Sequence, residues 1–196
     1  MRLNDSLRAE LRQEVKAERF DITPEGVYFP RNGININGEY FARVNGGGWE
    51  KEGDNLVVNE GLVHVLNVAL GATAKPAGYF LALFSGSTTP AANWTAASFA
   101  AVANEIVSQT EGYTGATRPA WTPAAATAGS IDNLASAAQM TMATSSTLNV
   151  TGAALLTSSQ RGGTTGVLVS ASAFATTRMF QAGDLYELGY RLNATV

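Results

Sequence analysis

Charged residues are distributed unevenly along this chain, and this limits what most of it can fold into. Residues 1–56 hold 8 of the 13 Lys and Arg residues and 10 of the 16 Asp and Glu residues, so the other 140 of the 196 residues carry only 11 charges. Soluble domains usually carry about a quarter charged residues, whereas this chain carries 15% overall. The long charge-poor part, rich in Ala, Thr, Ser, Gly and Val, is therefore typical of a domain that packs against other protein.

The composition argues against several classes of protein. With 45% hydrophobic residues and a mean hydropathy of +0.01, the chain is not typical of intrinsic disorder. Its longest strongly apolar run, residues 79–84, is far shorter than the roughly 20 residues that cross a membrane. The absence of Cys excludes disulfides and thiolate zinc sites. A pI near 5.2 argues against a basic nucleic-acid-binding surface. We expect no cofactor, no metal, no membrane and no nucleic acid among its partners.

The N-terminal residues predict a helical arm. Residues 5–19 contain no Gly after a possible cap at Asn4 or Asp5, and an apolar stripe recurs every fourth residue at Leu3, Leu7, Leu11 and Val15. A stripe one residue wide buries little surface, and an isolated helix of this length is marginal in water. Two interpretations stay open: the helix docks on its own domain or frays, or it becomes ordered on a neighbouring subunit.

The next segment, residues 26–56, predicts a β-hairpin followed by a linker. Short apolar runs alternate there with Asn-Gly pairs, which supply the two positive-φ positions of a type I′ turn. Ile34 and Ile36 before Asn37-Gly38, with Tyr40 after it, favour a hairpin at that turn. Residues 46–48 are all Gly and read as a flexible joint.

Residues 59–70 give the strongest helix prediction in the chain. Asn59 is a good N-cap, Glu60 favours the positive end of the helix dipole, and Gly71 is placed for a C-cap. The apolar positions of this helix form a stripe that we expect to face the core, made of Leu62, Val65, Leu66, Ala69 and Leu70.

The rest of the chain predicts mainly antiparallel β structure. Residues 79–84 read as a buried strand, and 96–107 favours a short helix. From residue 131 onward apolar residues alternate with a period of two, ending in a strand over 185–192. The predicted organisation is an N-terminal helical arm over 1–25, a hairpin and linker over 26–56, and a β domain over 57–196 that includes the helix at 59–70.

No residue pattern predicts catalysis or metal binding. His64 is the only histidine, and it lies four residues after Glu60, which is the spacing of a base and its orienting carboxylate, but no nucleophile has a recognisable setting. The possible calcium ligands lack the spacing of a calcium loop and read as turn and cap residues: Asp54, Asn55, Asn59 and Glu60.

A glycosidase would need two carboxylates at a fixed separation. Glu105 and Glu111 lie six residues apart, and the residues between them fix no such distance. We therefore expect a protein that is not an enzyme.

Aromatic residues in the loop-rich middle of the chain form a second candidate site. Trp94, Tyr113 and Trp121 lie among few charges, and Arg118 stands directly before Pro119. Interface cores favour aromatic residues and Arg. They are therefore either anchors for a partner or the filling of a small core under long loops, and the sequence favours neither interpretation.

The order of these features resembles small virion proteins of tailed bacteriophages, most of all those that decorate or cement the head. The resemblance covers roughly residues 30–196 and rests on the Asn-Gly-punctuated segment, NEGLVHVLNVALGA, YFLALFSG, Glu111 with Tyr113 and Arg118-Pro119, and the closing Gly-Asp-x-Tyr strand. It implies an antiparallel β-sandwich, jelly-roll-like, beside the N-terminal helical arm and one further helix. It also implies that the chain is made in the host cytoplasm and becomes part of the virion.

The resulting expectation is a non-enzymatic protein that binds between capsid subunits and stabilises the head shell. Its partners would be the major capsid protein and copies of itself in a homo-oligomer, a trimer being one option. The predicted interface residues are Leu7, Leu11, Val15, Trp94, Tyr113, Arg118 and Trp121. The alternative is a tail or fibre component that binds host glycans through Trp94 and Trp121, and an enzyme acting on polysaccharide is the least favoured interpretation.

Overall fold

The computed structural model describes residues 20–22, 24, 28–30 and 34–195 of the chain. The chain divides into two compact units, residues 1–35 with 194–196 and residues 36–193. In the first unit, β1 (Phe20–Ile22) pairs antiparallel with β2 (Tyr28–Pro30). The predicted helix over 5–19, and with it Leu7, Leu11 and Val15, lies outside the described residues.

The second unit is built on one large antiparallel sheet. Its strands are β3 (Asn35–Val44), β4 (Glu50–Val57), β5 (Tyr79–Phe84), β6 (Gly112–Tyr113), β7 (Ala120–Trp121), β8 (Ser130–Asp132), β9 (Ala138–Ala143), β10 (Leu148–Leu156), β11 (Leu168–Phe180) and β12 (Leu185–Thr195). Nine of these described strands follow the order β6–β9–β12–β3–β4–β11–β10–β5–β7, and β8 pairs with β12 outside that order. The helices are α1 (Asn59–Ala69) and α2 (Ala96–Val102), and a 3-10 turn covers Leu134–Ser136. The prediction of a mainly antiparallel β fold is confirmed.

The sheet curls into a half-barrel, so that distant strands meet across its inner face. Trp121 in β7, at one end of the order, donates its indole N–H to the carbonyl oxygen of Tyr190 in β12 at 3.0 Å. The inner core collects buried side chains from both halves of the sheet, such as Tyr40 from β3 and Leu155 from β10. The predicted β-sandwich, or jelly roll, is not confirmed, because the strands belong to one curled sheet.

The outer face of β5, β10 and β11 is buried as well, because α2 and the loop before it cover it. Along β10, Ala153 and Leu155 belong to the inner core, whereas Ala154 and Leu156 belong to a second cluster that contains Phe99 of α2. Strands buried on both faces read as continuous apolar runs, because neither set of side chains meets water. The apolar run at residues 79–84, which predicted a strand, has this cause as well, and β5 has the predicted bounds.

Charged residues in the middle of the sheet form ion pairs between neighbouring strands. Arg43 in β3 donates two hydrogen bonds to Glu187 in β12, at 2.6 and 2.9 Å. Arg178 in β11 donates to both carboxylate oxygens of Glu52 in β4, each at 2.9 Å. Opposite charges on adjacent strands favour one register over its alternatives. The charges that are dense in the sequence before residue 57 therefore include several that join strands.

The hairpin predicted at Asn37-Gly38 is wrong. Both residues lie inside β3, where Gly38 is covered by its neighbours. A Cβ on Gly38 would lie 2.7 Å from Oδ1 of Asn55 and 2.8 Å from Cε2 of Tyr190. Gly is needed here for close packing within a strand, and the pattern that predicts a turn cannot separate the two uses of Gly.

The turn between β3 and β4 is made by the next Asn-Gly pair. Asn45 and Gly46 have φ values of 51° and 74°, and the N–H of Gly47 donates to the carbonyl oxygen of Val44 at 2.9 Å. These are features of a type I′ turn. Residues 46–48, predicted as a flexible joint, therefore begin in a tight turn. The sequence interpretation separated residues 26–56 from the domain after them, whereas β3 and β4 are central strands of that domain's sheet.

Helix α2 is shorter than the predicted 96–107. It begins with a capping box between Thr95 and Ser98 and ends at Val102. Asn104 then adopts a positive φ of 53°, which turns the chain out of the helix. The residues that follow lie along β5, where Glu105 pairs with Phe84. Pairing with β5 therefore ends α2 earlier than the helix propensity of the sequence predicts.

Candidate interaction surface

Helix α1 contacts the sheet through its smallest residue. A Cβ on Gly61 would lie 2.7 Å from the carbonyl carbon of Val169 in β11 and 2.8 Å from its Cα. Side chains do not come this close to a backbone, so only Gly lets the helix lie directly on the strand. Gly inside a helix costs about 1 kcal/mol relative to Ala. The close approach, together with the hydrogen bond from Val58 N–H to the Val169 carbonyl oxygen at 3.3 Å, offsets that cost.

Glu60 fixes the N-terminal end of the same helix. Its Oε2 accepts hydrogen bonds from the backbone N–H of Ala96 at 2.8 Å and of Leu168 at 2.7 Å. Ala96 is the first residue of α2 and Leu168 the first of β11. One carboxylate therefore joins α1, α2 and β11, which sets where α1 begins and how it lies.

His64, one turn further along, continues the contact. Its Nε2 lies 3.1 Å from the hydroxyl oxygen of Tyr79, and the two rings meet edge to face with centroids 5.8 Å apart. Burial lowers the pKa of His64 below its ordinary value, and the negative charge of Glu60 opposes this. Burial also raises the pKa of Tyr79. His64 therefore packs as a neutral ring against the sheet edge, and Glu60 is occupied by backbone N–H groups.

These contacts define the face of α1 that meets the sheet. Gly61 and His64 are buried, and Val65 and Val68 are half-buried. The four positions follow the i, i+3, i+4, i+7 spacing of one helical face. The stripe predicted to face the core is therefore wrong except at Val65, the one of its five residues that lies on the face that meets the sheet.

The leucines of the predicted core stripe are exposed to solvent instead. Leu62 is 37% exposed, Leu66 56% and Leu70 85%, and Val63 beside them is 58% exposed. Residues spaced by four advance about 40° around a helix of 3.6 residues per turn. The leucine row therefore winds away from the sheet along α1, which accounts for the rise in exposure. We call these four residues the α1 outer face.

The α1 outer face carries no charge to keep it in water. No Asp, Glu, Lys or Arg occurs between Glu60 and Lys75. A helix that is apolar all round is normally buried all round, and contiguous apolar patches on a soluble surface mark sites of interaction. Apolar residues on every side of the helix were the sequence signal for this surface, but the pattern alone does not say which side the sheet covers.

Two of the predicted interface residues lie in the chain's own core. Trp94 is buried against Phe84, with ring centroids 6.4 Å apart. Trp121 is buried between Tyr79 and Tyr190, at centroid distances of 6.0 and 5.8 Å. Their rings fill the two clusters of the domain, which is the second of the two interpretations that the sequence left open.

Arg118 forms a buried ion pair with Glu105. Its Nε and Nη2 donate to the two carboxylate oxygens at 2.7 Å each, and both side chains are fully buried. Nη1 of Arg118 donates to the carbonyl oxygen of Ser158 at 2.9 Å, and Glu105 also accepts from the N–H of Gly162 at 2.9 Å. This bidentate pair joins the chain after α2 to the loop after β10.

Tyr113 lies beside that pair under Arg161. The guanidinium carbon of Arg161 is 3.7 Å from the centre of the Tyr113 ring. Arg161 also donates hydrogen bonds to the backbone carbonyl oxygens of Ile106, Ser108, Tyr113 and Gly115. Burial raises the pKa of Tyr113 to about 12. Arg161 therefore binds several loop segments together.

The carboxylates considered for catalysis occupy unrelated sites. Glu105 is bound to Arg118, whereas Glu111 is exposed and accepts hydrogen bonds from the Thr144 hydroxyl at 2.9 Å and the Ser145 N–H at 3.1 Å. These bonds lower the pKa of Glu111. Within the described residues there is no group of three or more His, Cys, Asp or Glu side chains placed to hold a metal ion.

Two hollows on the described surface are polar and share Arg43. One of about 200 Å³ is lined by Arg43, Glu50, Glu52 and Arg178, and one of about 500 Å³ by Arg43, Gln139 and Glu187. The Arg and Glu side chains in both hollows are paired with one another. In contrast to these hollows, the α1 outer face consists of exposed apolar side chains.

No described helix has the length and apolarity needed to cross a membrane. Compared with protein-family models and with curated proteins, the chain matches none.

Proposed function

We propose that this chain is a non-enzymatic structural component of a tailed-phage particle, which binds between capsid subunits and stabilises the head shell. The observation that carries the proposal is the α1 outer face, an uncharged apolar helix surface held outward by the contact of Gly61 with Val169. Covering such a surface with another protein stabilises the complex by about 25 cal/mol per Å² of apolar surface buried.

The body of the domain suits a protein that serves as a rigid spacer. Ion pairs join β3 to β12 and β4 to β11 in the middle of the sheet, and the buried pair of Arg118 and Glu105 joins loops beside β5 and β7. Because both halves of the curled sheet share one inner core, we infer that the domain acts mechanically like the jelly-roll sandwich of the resemblance. Many copies at symmetric positions would turn modest single contacts into high avidity.

The test is to locate the chain on purified particles of the phage that encodes it. Gold-labelled antibody and electron microscopy are expected to mark the head, and shells lacking the protein are expected to lose their cargo at lower temperature. Adding back the wild-type protein should restore the shells, whereas a variant with Leu62 and Leu66 changed to Gln should not. Absence of the chain from particles would refute the proposal, and label on the tail would favour a tail or fibre role.

The two residues proposed to bind glycans are not exposed for that role. It relied on Trp94 and Trp121 stacking on sugar rings, and both rings are buried within the domain. A tail or fibre position therefore remains an outcome of the localisation experiment.

A further inference from the structure

We propose that Asn45, in the turn between β3 and β4, is a site of spontaneous deamidation, and that the aspartate it becomes separates two turns that are now joined. The proposal goes beyond the proposed function and does not depend on it. The side-chain amide of Asn45 donates to Oδ1 of Asp184, in the turn between β11 and β12, at 2.9 Å. The amide oxygen of Asn45 accepts the N–H of Leu185 at 2.8 Å. We call these two hydrogen bonds the Asn45 link.

The turn at Asn45 provides what deamidation requires. Gly46 follows Asn45 and has no Cβ, so its own side chain does not shield its backbone nitrogen. No atom lies within 4 Å of the position that a Cβ on Gly46 would occupy, so the turn is open to water. Asn45 is exposed, and exposed turns open locally at the smallest cost in free energy. The attacking nitrogen, the amide and access for water therefore occur together at this turn.

The reaction uses only this chain and water. The backbone nitrogen of Gly46 attacks Cγ of Asn45 and forms a bond to it, which closes a succinimide ring. The bond from Cγ to Nδ2 breaks, and Nδ2 leaves as ammonia with the proton that the Gly46 nitrogen gives up. Water then adds to one of the two ring carbonyl carbons and breaks the bond from that carbon to the nitrogen. The product is aspartate, or isoaspartate where the main chain comes to pass through Cβ, and neither step needs an oxidant or a reductant.

An aspartate at position 45 would place a second carboxylate where the amide now donates to Asp184. Asp184 accepts a hydrogen bond from the backbone N–H of Gln181 at 2.8 Å as well as the one from Asn45. These two bonds lower the pKa of Asp184, so at neutral pH it is ionised and has no proton to donate in return. Two carboxylates in contact repel each other. Deamidation therefore replaces the hydrogen bond between the two turns by a repulsion.

The Asn45 link lies where several strands of the sheet meet. The backbone N–H of Asn45 donates to the carbonyl oxygen of Leu185 at 2.9 Å, and Leu185 is the first residue of β12. The carbonyl oxygen of Asp184 accepts the N–H of Met142, in β9, at 2.8 Å. We therefore expect deamidation to loosen the start of β12 and the adjoining end of β9.

Another Asn-Gly pair of the described residues shows what the turn contributes. Asn37 is exposed, as Asn45 is, and the two follow the β-branched residues Ile36 and Val44. Gly38, however, lies inside β3 and pairs with β4, and side chains of β4 and β12 crowd the position of its missing Cβ. The strand must open before the nitrogen of Gly38 can reach the Asn37 side chain. The local sequences match, so the difference in rate between the two pairs reports the folded structure.

Mass spectrometry of the full-length chain, aged in mildly alkaline buffer, tests the site. Trypsin releases residues 44–51, in which Asn45 is the only Asn, and residues 32–43, in which fragment ions locate Asn37. The reaction is detected as the mass gain of exchanging an NH2 group for an OH group. In the folded chain we expect Asn45 to be converted at least about ten times faster than Asn37, and in urea at a similar rate. No conversion of Asn45, or conversion of Asn37 at an equal or greater rate in the folded chain, would overturn the proposal.

A charge exchange tests the consequence for the fold. Asn45→Asp is expected to lower the midpoint of thermal unfolding by about 2–4 °C, and the positive φ of this position suits Asp as well as Asn. Adding Asp184→Asn should restore the midpoint, because the new amide can donate to the carboxylate while its oxygen accepts the N–H of Gln181. Asn37→Asp, exposed on β3, is the matched control and should have little effect. An Asn45→Asp chain as stable as wild type, or one that Asp184→Asn does not rescue, would show that the Asn45 link does not join the turns.

Discussion

Gly61 of α1 and Val169 of β11 meet backbone to backbone, with no side chain between them. This contact determines the orientation of the helix, because the residues three, four and seven positions after Gly61 must then also face the sheet. The leucines of α1 lie on the opposite side for the same reason. A single small residue therefore converts an ordinary apolar helix into an exposed surface.

Replacing Gly61 by Ala is expected to destabilise the domain. The added Cβ would overlap the Val169 carbonyl group, and neither backbone can move without losing the hydrogen bonds of Glu60. Overpacking of this kind typically costs about 1–3 kcal/mol in the free energy of unfolding, measurable by urea denaturation. The matched control is Gly48→Ala, which has no atom within 4 Å of its Cβ and should change little.

Replacing Leu66 by Gln should leave stability almost unchanged, because more than half of this side chain already meets water. We expect a change in the free energy of unfolding within about 0.5 kcal/mol, together with weaker binding to shells that lack the protein. Leu83→Ala is the contrast, since Leu83 is fully buried in the inner core. Its loss should cost about 2–5 kcal/mol. A large loss of stability in the Leu66 variant would show that the outer face is part of the domain's own core.

The buried pair of Arg118 and Glu105 should be far more sensitive to loss of one partner than of both. Glu105→Ala leaves a fully buried guanidinium without its carboxylate and is expected to cost about 3–5 kcal/mol. The double change Glu105→Leu with Arg118→Met removes both charges and should recover much of that loss. Thermal unfolding of the three proteins gives the comparison. Lys51→Ala, which breaks two ion pairs at the surface, with Glu39 and Asp54, is the control and should have little effect.

Stability should fall at mildly acidic pH because of His64. Burial holds its pKa in the folded chain below the ordinary value, so the unfolded chain binds more protons than the folded chain between the two pKa values. The contribution is present above the ordinary histidine pKa of about 6.5 and is lost as pH falls through the folded-state pKa. Denaturation midpoints at pH 5 to 8 test this, and His64→Gln should flatten the profile in that window. Because the chain has no other histidine, an unchanged slope in the variant would contradict the assignment.

The local patterns of the sequence predicted secondary structure well where one interaction dominates. The apolar run at 79–84 is β5, and the alternating residues near the C-terminus are β12. The helix predicted at 59–70 is α1, which ends at Ala69. The strands follow apolar patterns that act within a few residues of the chain, whereas the N-cap residue of α1 is Val58, without a side-chain cap hydrogen bond, and not the predicted Asn59.

The predictions were wrong where contacts between residues far apart in the sequence determine the structure. Asn37-Gly38 has the sequence of a turn, but Tyr190, far along the chain, packs against Gly38 within a strand. The leucines of α1 form a regular apolar stripe, but the approach of β11 at Gly61 turns them outward. Local periodicity shows that a face exists, whereas only the tertiary contact shows what covers it.

The turn between β3 and β4 has a practical consequence for any study of the assembled protein. Strand β4 runs from this turn to the start of α1, so its eight residues separate the two by about 26 Å. Gly46 and Gly48 have open space around them. A short epitope inserted at this turn would lie at the end of β4 opposite α1, where an antibody could detect the chain. An antibody against it should therefore bind particles in which the leucines of α1 are already covered.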